Sequence, residues 1–234
     1  NRRCKRETVR MEAVKKPEFR KEDTTKEKLI RATQYLLACY GYEMATTREI
    51  TRIAGTSLSA ISFHFGTKEA LVKAAVDYTA DNLHHVYQNY TGKMQEFIDA
   101  GGGDTDQAWK YIEELLSETM QLTFDPKKSM INIGMVEHEN GFPESCRNTI
   151  ASVAVRDNEL ILQELINYVL PEKNLMRSTL IARSISAAIM SYMEKPLLNE
   201  EFSRATGLDL NNREEVREVL VKYFIDSIHA ASES

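Results

Sequence analysis

The chain has 234 residues, with 42% hydrophobic and 28% charged side chains and a formal net charge of −5, which is long enough to bury the cores of one small and one larger domain. It contains no run of about 18 apolar residues and no charged-then-apolar leader, so a soluble, cytoplasmic protein without membrane span or export signal is expected. Cys4, Cys39 and Cys146 are an odd number without metal-like spacing, which suits a reducing compartment better than a disulfide framework.

The charge is unevenly spread. Residues 1–77 hold 16 Lys and Arg against 10 Asp and Glu, a balance of +6, which leaves −11 for the rest of a chain whose total is −5. Only the first third therefore suits a polyanion, since neutralisation of phosphates by Lys and Arg supplies most of the non-specific affinity of a DNA binder.

Residues 1–23 are dense in charge, and Pro17 breaks their only helical pattern. They read as a basic extension, either a flexible solvated tail or an arm reaching a minor groove beside a main site. Thr24 and Thr25 then precede a stripe of Leu29, Ile30, Ala32, Thr33, Leu36, Leu37 and Tyr40, the packing face of a first helix.

Residues 46–65 read TTREITRIAGTSLSAISFHF. Thr46 or Thr47 caps a short helix with Ile50, Ile53 and Ala54 on one face, and Gly55 ends it. Ser57 caps a second short helix with Leu58, Ile61 and Phe65 at spacings of three and four. Two helices of about two turns joined by a Gly-containing turn match a helix-turn-helix, although such pairs also occur in helical proteins that never meet DNA. Gly41 and Tyr42 precede the pair, and GTKEAL follows at 66–71 as a break, a Thr cap and a new apolar run.

In this order of motifs the stretch from Leu29 to Leu71 resembles the DNA-binding domain of the tetracycline-repressor (TetR) family, over roughly residues 25 to 80. The resemblance implies an all-α fold with a three-helix helix-turn-helix domain at 24–72. A larger helical domain at 73–234 would bind an effector and dimerise.

Roles within the pair follow from donor chemistry. Arg48 can offer two donors to guanine and Thr47 one to a phosphate. The second helix starts at Ser57, and its first turn meets base edges through Leu58, Ser59, Ala60 and Ser62. The serines read any base weakly, and Leu58 and Ala60 suit a thymine methyl. The resemblance adds Thr25 near a phosphate, and Phe63, His64 and Lys68 at positions where the family holds an aromatic, a His or aromatic, and a Lys near the backbone. His64 also has a structural reading as a residue capping the helix end. The family often has Lys or Gln at 58, Gly or Pro at 59 and Tyr at 62, where this chain has Leu58, Ser59 and Ser62 and so lacks the Tyr that commonly reaches the backbone.

A longer helix from Lys68 to about Tyr90, with Leu71, Ala74, Ala75, Tyr78, Leu83 and Val86 inward, links the two halves and continues through Phe97. As a lever it offers a route for regulation. His84 and His85, about 100° apart on a helix, make a poor metal pair. The glycines at 101–103 form a loop, and Asp104 or Thr105 caps a helix to about Thr123.

A Met-rich segment follows, reading MINIGMVEHENGFPESC. An effector site drawn from Trp109, Met120, Met135, His138 and Phe142 would have adaptable apolar walls, although core packing is the commoner use of Met at helical spacing. Glu144 or Ser145 opens a helix to Leu170, Asn174 caps one from Leu175 to about Met193, and Lys195-Pro196 closes it. A loop surrounds Gly207, and Asn211 or Asn212 starts the last helix, whose Val216, Val219, Leu220, Tyr223, Phe224 and Ile228 form a wide apolar face. The last two long helices would then form a four-helix interface in a two-fold dimer, against the alternative of a monomer whose end helix completes the core.

The expected function is a DNA-binding transcriptional regulator: a dimeric repressor on a palindromic double-stranded operator, released by a small-molecule effector. The alternative is a DNA-bound interaction protein whose larger domain docks a protein partner. No nucleophile elbow, metal motif or cofactor fingerprint is present, so no enzyme, metal or cofactor is expected.

Overall fold

Capping chemistry decides where several helices of the computed structural model begin. The structure describes residues 15–124, 135, 139–194, 196–210 and 212–233, and the described residues are helical without a strand. Helix α1, Thr25–Met44, opens on a capping box. The Thr24 hydroxyl accepts from the Glu27 amide at 3.2 Å, while the Glu27 carboxylate accepts from the Thr24 amide at 2.7 Å. The Thr24 hydroxyl also donates to the Glu27 carboxylate at 2.7 Å, and this bond, with the one from the Thr24 amide, lowers the Glu27 carboxyl from its ordinary value. Near its other end α1 is interrupted at Gly41, whose φ of 75° falls in a region that favours glycine.

Thr46 caps α2, Thr47–Ala54, by accepting from the Glu49 amide. Gly55, left-handed at φ 65° and ψ 38°, terminates it and turns the chain into α3, Leu58–Phe65. Ser57 stands at the N-cap of α3, but its hydroxyl pairs with Ser59 Oγ at 2.8 Å instead of a backbone amide. Thr67 accepts from the Ala70 amide at the start of α4, Lys68–Asp99.

By contacts, the described residues within 1–83 and 126–153 form one compact unit, and those within 84–125 and 154–234 form another. In the first, Leu29, Leu36 and Leu37 of α1, Ile50 and Ile53 of α2 and Leu71, Val72 and Val76 of α4 are buried together with Ile61, the only buried residue of α3. Each such side chain contributes roughly 1.5–3 kcal/mol by leaving water. The buried Gln34 amide donates to Thr79 Oγ1 at 2.7 Å and ties α1 to α4. Tyr78 and Val86, expected on the inner side of α4, are exposed, and Val76, Thr79, Ala80 and Tyr87 are buried instead.

In the second unit, Asp104 caps α5, Thr105–Phe124. The loop before it needs glycine at 102, where φ is 61° and a Cβ would sit 2.4 Å from the Tyr168 ring. The helix expected from Glu144 or Ser145 starts later. Glu144–Cys146 is a 3-10 turn and Asn148 has a φ of 61°, so α6 begins at Thr149 and runs to Ala154. A π turn, Val155–Glu159, separates it from α7, Leu160–Val169.

Asn174 caps α8, Leu175–Glu194, by accepting from the Arg177 amide. The loop expected around Gly207 is in large part a helix, α9, Pro196–Thr206, with Gly207 at φ 75° after it. Pro196 occupies the first helical position, where a missing N–H costs nothing, and so starts a helix as well as stopping one. Asn212 caps α10, Arg213–Ser232, which buries Val216, Leu220, Phe224 and Ile228. Val219 and Tyr223 are exposed, so its inner face is narrower than the sequence pattern.

Candidate nucleic-acid interface

The α2–α3 pair presents a short helix that is anchored by one side chain and otherwise open. Ile61 and, partly, Phe65 hold α3 to the core, while Leu58, Ser59, Ser62, Phe63 and His64 are exposed and Ala60 is half-buried. Residues i and i+4 share a helical face, so Ser59 and Phe63 form one outward row and Leu58 and Ser62 the next. Phe63 is 84% exposed and Leu58 52%. The Phe63 ring meets that of His64 edge-on at 4.9 Å.

Thr25, at the start of α1, lines one open groove with Ser57, Ser59, Ala60, Phe63 and His64, and the turn residues Gly55 and Thr56 complete it. The fold thus brings the start of the first helix to the outer face of α3. Thr56 Oγ1 is buried without a hydrogen-bond partner among the described residues.

The cations beside this face differ in availability. Arg48 is exposed and its guanidinium has no partner among the described residues, whereas Arg52 binds the Glu49 carboxylate through Nε at 2.9 Å and Nη2 at 2.6 Å. That pairing lowers the Glu49 carboxyl and raises the Arg52 guanidinium from their ordinary values. Lys68 is also engaged: its ammonium donates to the Tyr42 carbonyl at 3.0 Å and lies 3.8 Å from the centre of the Tyr42 ring. The Tyr42 hydroxyl in turn donates to Glu69. Lys68 therefore pins the end of α1 to the start of α4, and a phosphate at this position would share its ammonium with Tyr42. Thr47 is half-buried, its carbonyl accepting from the Thr51 hydroxyl.

Part of the N-terminal extension is anchored beside α1. Arg31 binds the Asp23 carboxylate at 2.9 Å and the Glu18 carbonyl at 2.8 Å, and its guanidinium lies over the Phe19 ring. Residues 1–14, which include most of the basic arm and Cys4, lie outside the described residues.

Residues 29–75 match the family described as "Bacterial regulatory proteins, tetR family". The chain carries a TetR-family DNA-binding domain. It acts as a DNA-binding transcriptional regulator, and the helices that match, from α1 into α4, are those that build the groove and its flanking cations. A solved structure described as "Molecular basis for control of antibiotic production by a bacterial hormones" is similar at 20% identity with a TM-score of 0.46, over 84% of this chain and 95% of that one. No curated protein matches the sequence.

Beyond the TetR-type domain, the described residues among those expected to hold an effector belong to both units. Met135 and Phe142 are buried in the first unit, where Met135 Sδ accepts from Thr79 Oγ1 at 3.5 Å. Met120 is buried in the second unit, and Trp109 there stacks on His229 of α10 with ring centres 3.7 Å apart. His138 lies outside the described residues, as do Met130, Ile133 and Glu137.

A polar network that the sequence reading missed lies in the second unit. The π turn sends three consecutive residues to three helices. Asp157 meets His84 Nδ1 of α4 at 2.6 Å, Asn158 donates to Thr119 Oγ1 of α5 at 2.8 Å and to the Tyr90 hydroxyl at 3.3 Å, and Glu159 accepts from Arg183 of α8 at 3.0 Å. Burial pushes the Tyr87 phenol up to about 12 and raises that of Tyr90 further. The available signal was the polar run RDNE inside an otherwise apolar pattern, and π turns of this kind are frequent at functional sites. Among the described residues there is no cluster of three potential metal ligands, and no helix is long and apolar enough to cross a membrane.

Proposed function

We propose that the protein is a homodimeric repressor that binds a palindromic operator and leaves it when a small molecule enters the second unit. The observation that carries this reading is that the first unit has an open α2–α3 face and the second unit has its own set of exposed apolar side chains. On α8 these are Met176 and Leu180, and on α10 Val219 and Tyr223, four residues apart in each helix. The two helices are neighbours at one end, where Arg177 donates to the Ala231 carbonyl at 2.9 Å. Exposed rows of this kind suit a two-fold interface, and two recognition helices one DNA turn apart give the specificity that one short helix lacks.

In this reading Arg48 contacts a base edge, Thr25, Thr47 and Lys68 contact phosphates, and the outer face of α3 enters the major groove. Effector binding acts through α4, whose residues contribute to both units. Binding of the purified chain to a labelled fragment of its own upstream DNA, against a scrambled fragment of the same composition, tests the reading. A dimer that prefers the upstream fragment by tenfold or more, with stoichiometry of one dimer per site, supports it, and equal affinity for both fragments would refute it.

A further inference from the structure

The outer face of α3 has an unusual composition for a surface meant to read hydrogen-bonding base edges. The helix LSAISFHF contains no Lys, Arg, Asp, Glu, Asn or Gln, the side chains that pair bidentately with guanine or adenine or accept from cytosine. Its two largest outward groups are apolar, Leu58 at 52% exposure and Phe63 at 84%. Neither packs into the core, which α3 reaches through Ile61.

The major groove displays one apolar feature, the thymine C5-methyl group, and 5-methylcytosine presents the same group at the same place. The polar groups that remain are Ser59 and Ser62, which accept and donate to any base, and the ring of His64. Guanine recognition from this pair of helices falls to Arg48, since Arg52 is held by Glu49. We infer that Leu58 and Phe63 determine operator specificity by covering pyrimidine C5-methyl groups, so that each operator half-site is read by thymine methyls beside a single Arg48 contact.

This inference rests on the DNA-binding reading, and the test separates the two. Duplexes are enriched by the full-length chain from a random pool, and the enriched sequence is resynthesised with deoxyuridine replacing one thymine at a time. Uracil keeps every hydrogen-bonding atom and lacks only the methyl. At fixed salt, losing a covered methyl weakens binding about fourfold per methyl. At each sensitive position, 5-methylcytosine paired with guanine binds more tightly than cytosine paired with guanine by a similar factor.

Leu58→Ala and Phe63→Ala, both at exposed positions that leave the fold intact, each abolish the thymine–uracil difference at their own position and leave it elsewhere. Uracil duplexes that bind the parent chain as tightly as thymine duplexes overturn the inference while leaving DNA binding in place. So does a thymine–uracil difference that survives both alanine variants. A pool that shows no enrichment overturns the DNA-binding reading, and this inference with it.

Discussion

Arg48 and Arg52 lie one turn apart on α2 and carry the same charge, yet their surroundings predict opposite consequences of removing them. Arg48 has no partner among the described residues, so its five donors are available to DNA, and Arg48→Ala is expected to cost about 1–3 kcal/mol on an enriched duplex and to relax preference at one base pair. Arg52 is bound through two nitrogens to Glu49, within 2.9 Å, and its charge is already compensated. Arg52→Ala should therefore change specific binding much less than Arg48→Ala. Glu49→Gln provides the complementary perturbation, because it removes that compensating carboxylate while the Thr46 cap, which uses the residue 49 amide, remains. If the released Arg52 neutralises one additional phosphate, the slope of log affinity against log salt steepens by about 0.9 per protomer. Fluorescence anisotropy with one labelled duplex, at several salt concentrations and for all three variants, measures both quantities. The reasoning is refuted if Arg52→Ala is as damaging as Arg48→Ala and Glu49→Gln leaves the salt slope unchanged.

Three other consequences concern stability and assembly. Asn158→Ala removes the buried amide that donates to Thr119 and Tyr90, so the chain should lose roughly 1–3 kcal/mol, read as a lower thermal midpoint by circular dichroism. An unaltered midpoint would mean that the π-turn network contributes no net stability. Leu180→Glu and Tyr223→Glu, each at an exposed position, should shift a dimer toward monomer in sedimentation equilibrium without lowering helix content; an unshifted distribution for both places the interface elsewhere. Burial keeps the Tyr87 phenol protonated in the folded state up to about 12, against an ordinary value of 10. Its contribution is fully present below pH 10 and is lost as pH rises from about 10 to 12, because the unfolded chain releases the proton first. Chemical unfolding across this range should show stability falling with pH in the parent and falling less steeply in Tyr87→Phe.

Local signals account for the helix boundaries that were readable. The Thr24–Glu27 box, the Thr46 cap, the left-handed Gly55 and the Asn174 and Asn212 caps act between residues three or four apart, so the helix starts and stops that they encode are visible without knowledge of any neighbour. Other local signals were ambiguous. Pro196 stood at a helix start where it was read as an end, and the 3-10 turn and positive φ at Asn148 delayed a helix whose apolar spacing had suggested an earlier beginning.

The chain order of caps, glycines and apolar spacings by itself determined that this protein is helical and that a pair of short helices joined by a glycine turn lies within residues 24–72, because those features are set by short-range backbone sterics and hydrogen bonds. Tertiary structure decided which charges remain available. Lys68 is drawn to the carbonyl and ring of Tyr42, 26 residues away, and Asn158 joins Tyr90 and Thr119 across three helices. It also decided that Phe63 is outside and Tyr87 inside, although both are aromatic residues of amphipathic helices. These outcomes depend on which other elements cover each face, a property of packing that no local spacing carries.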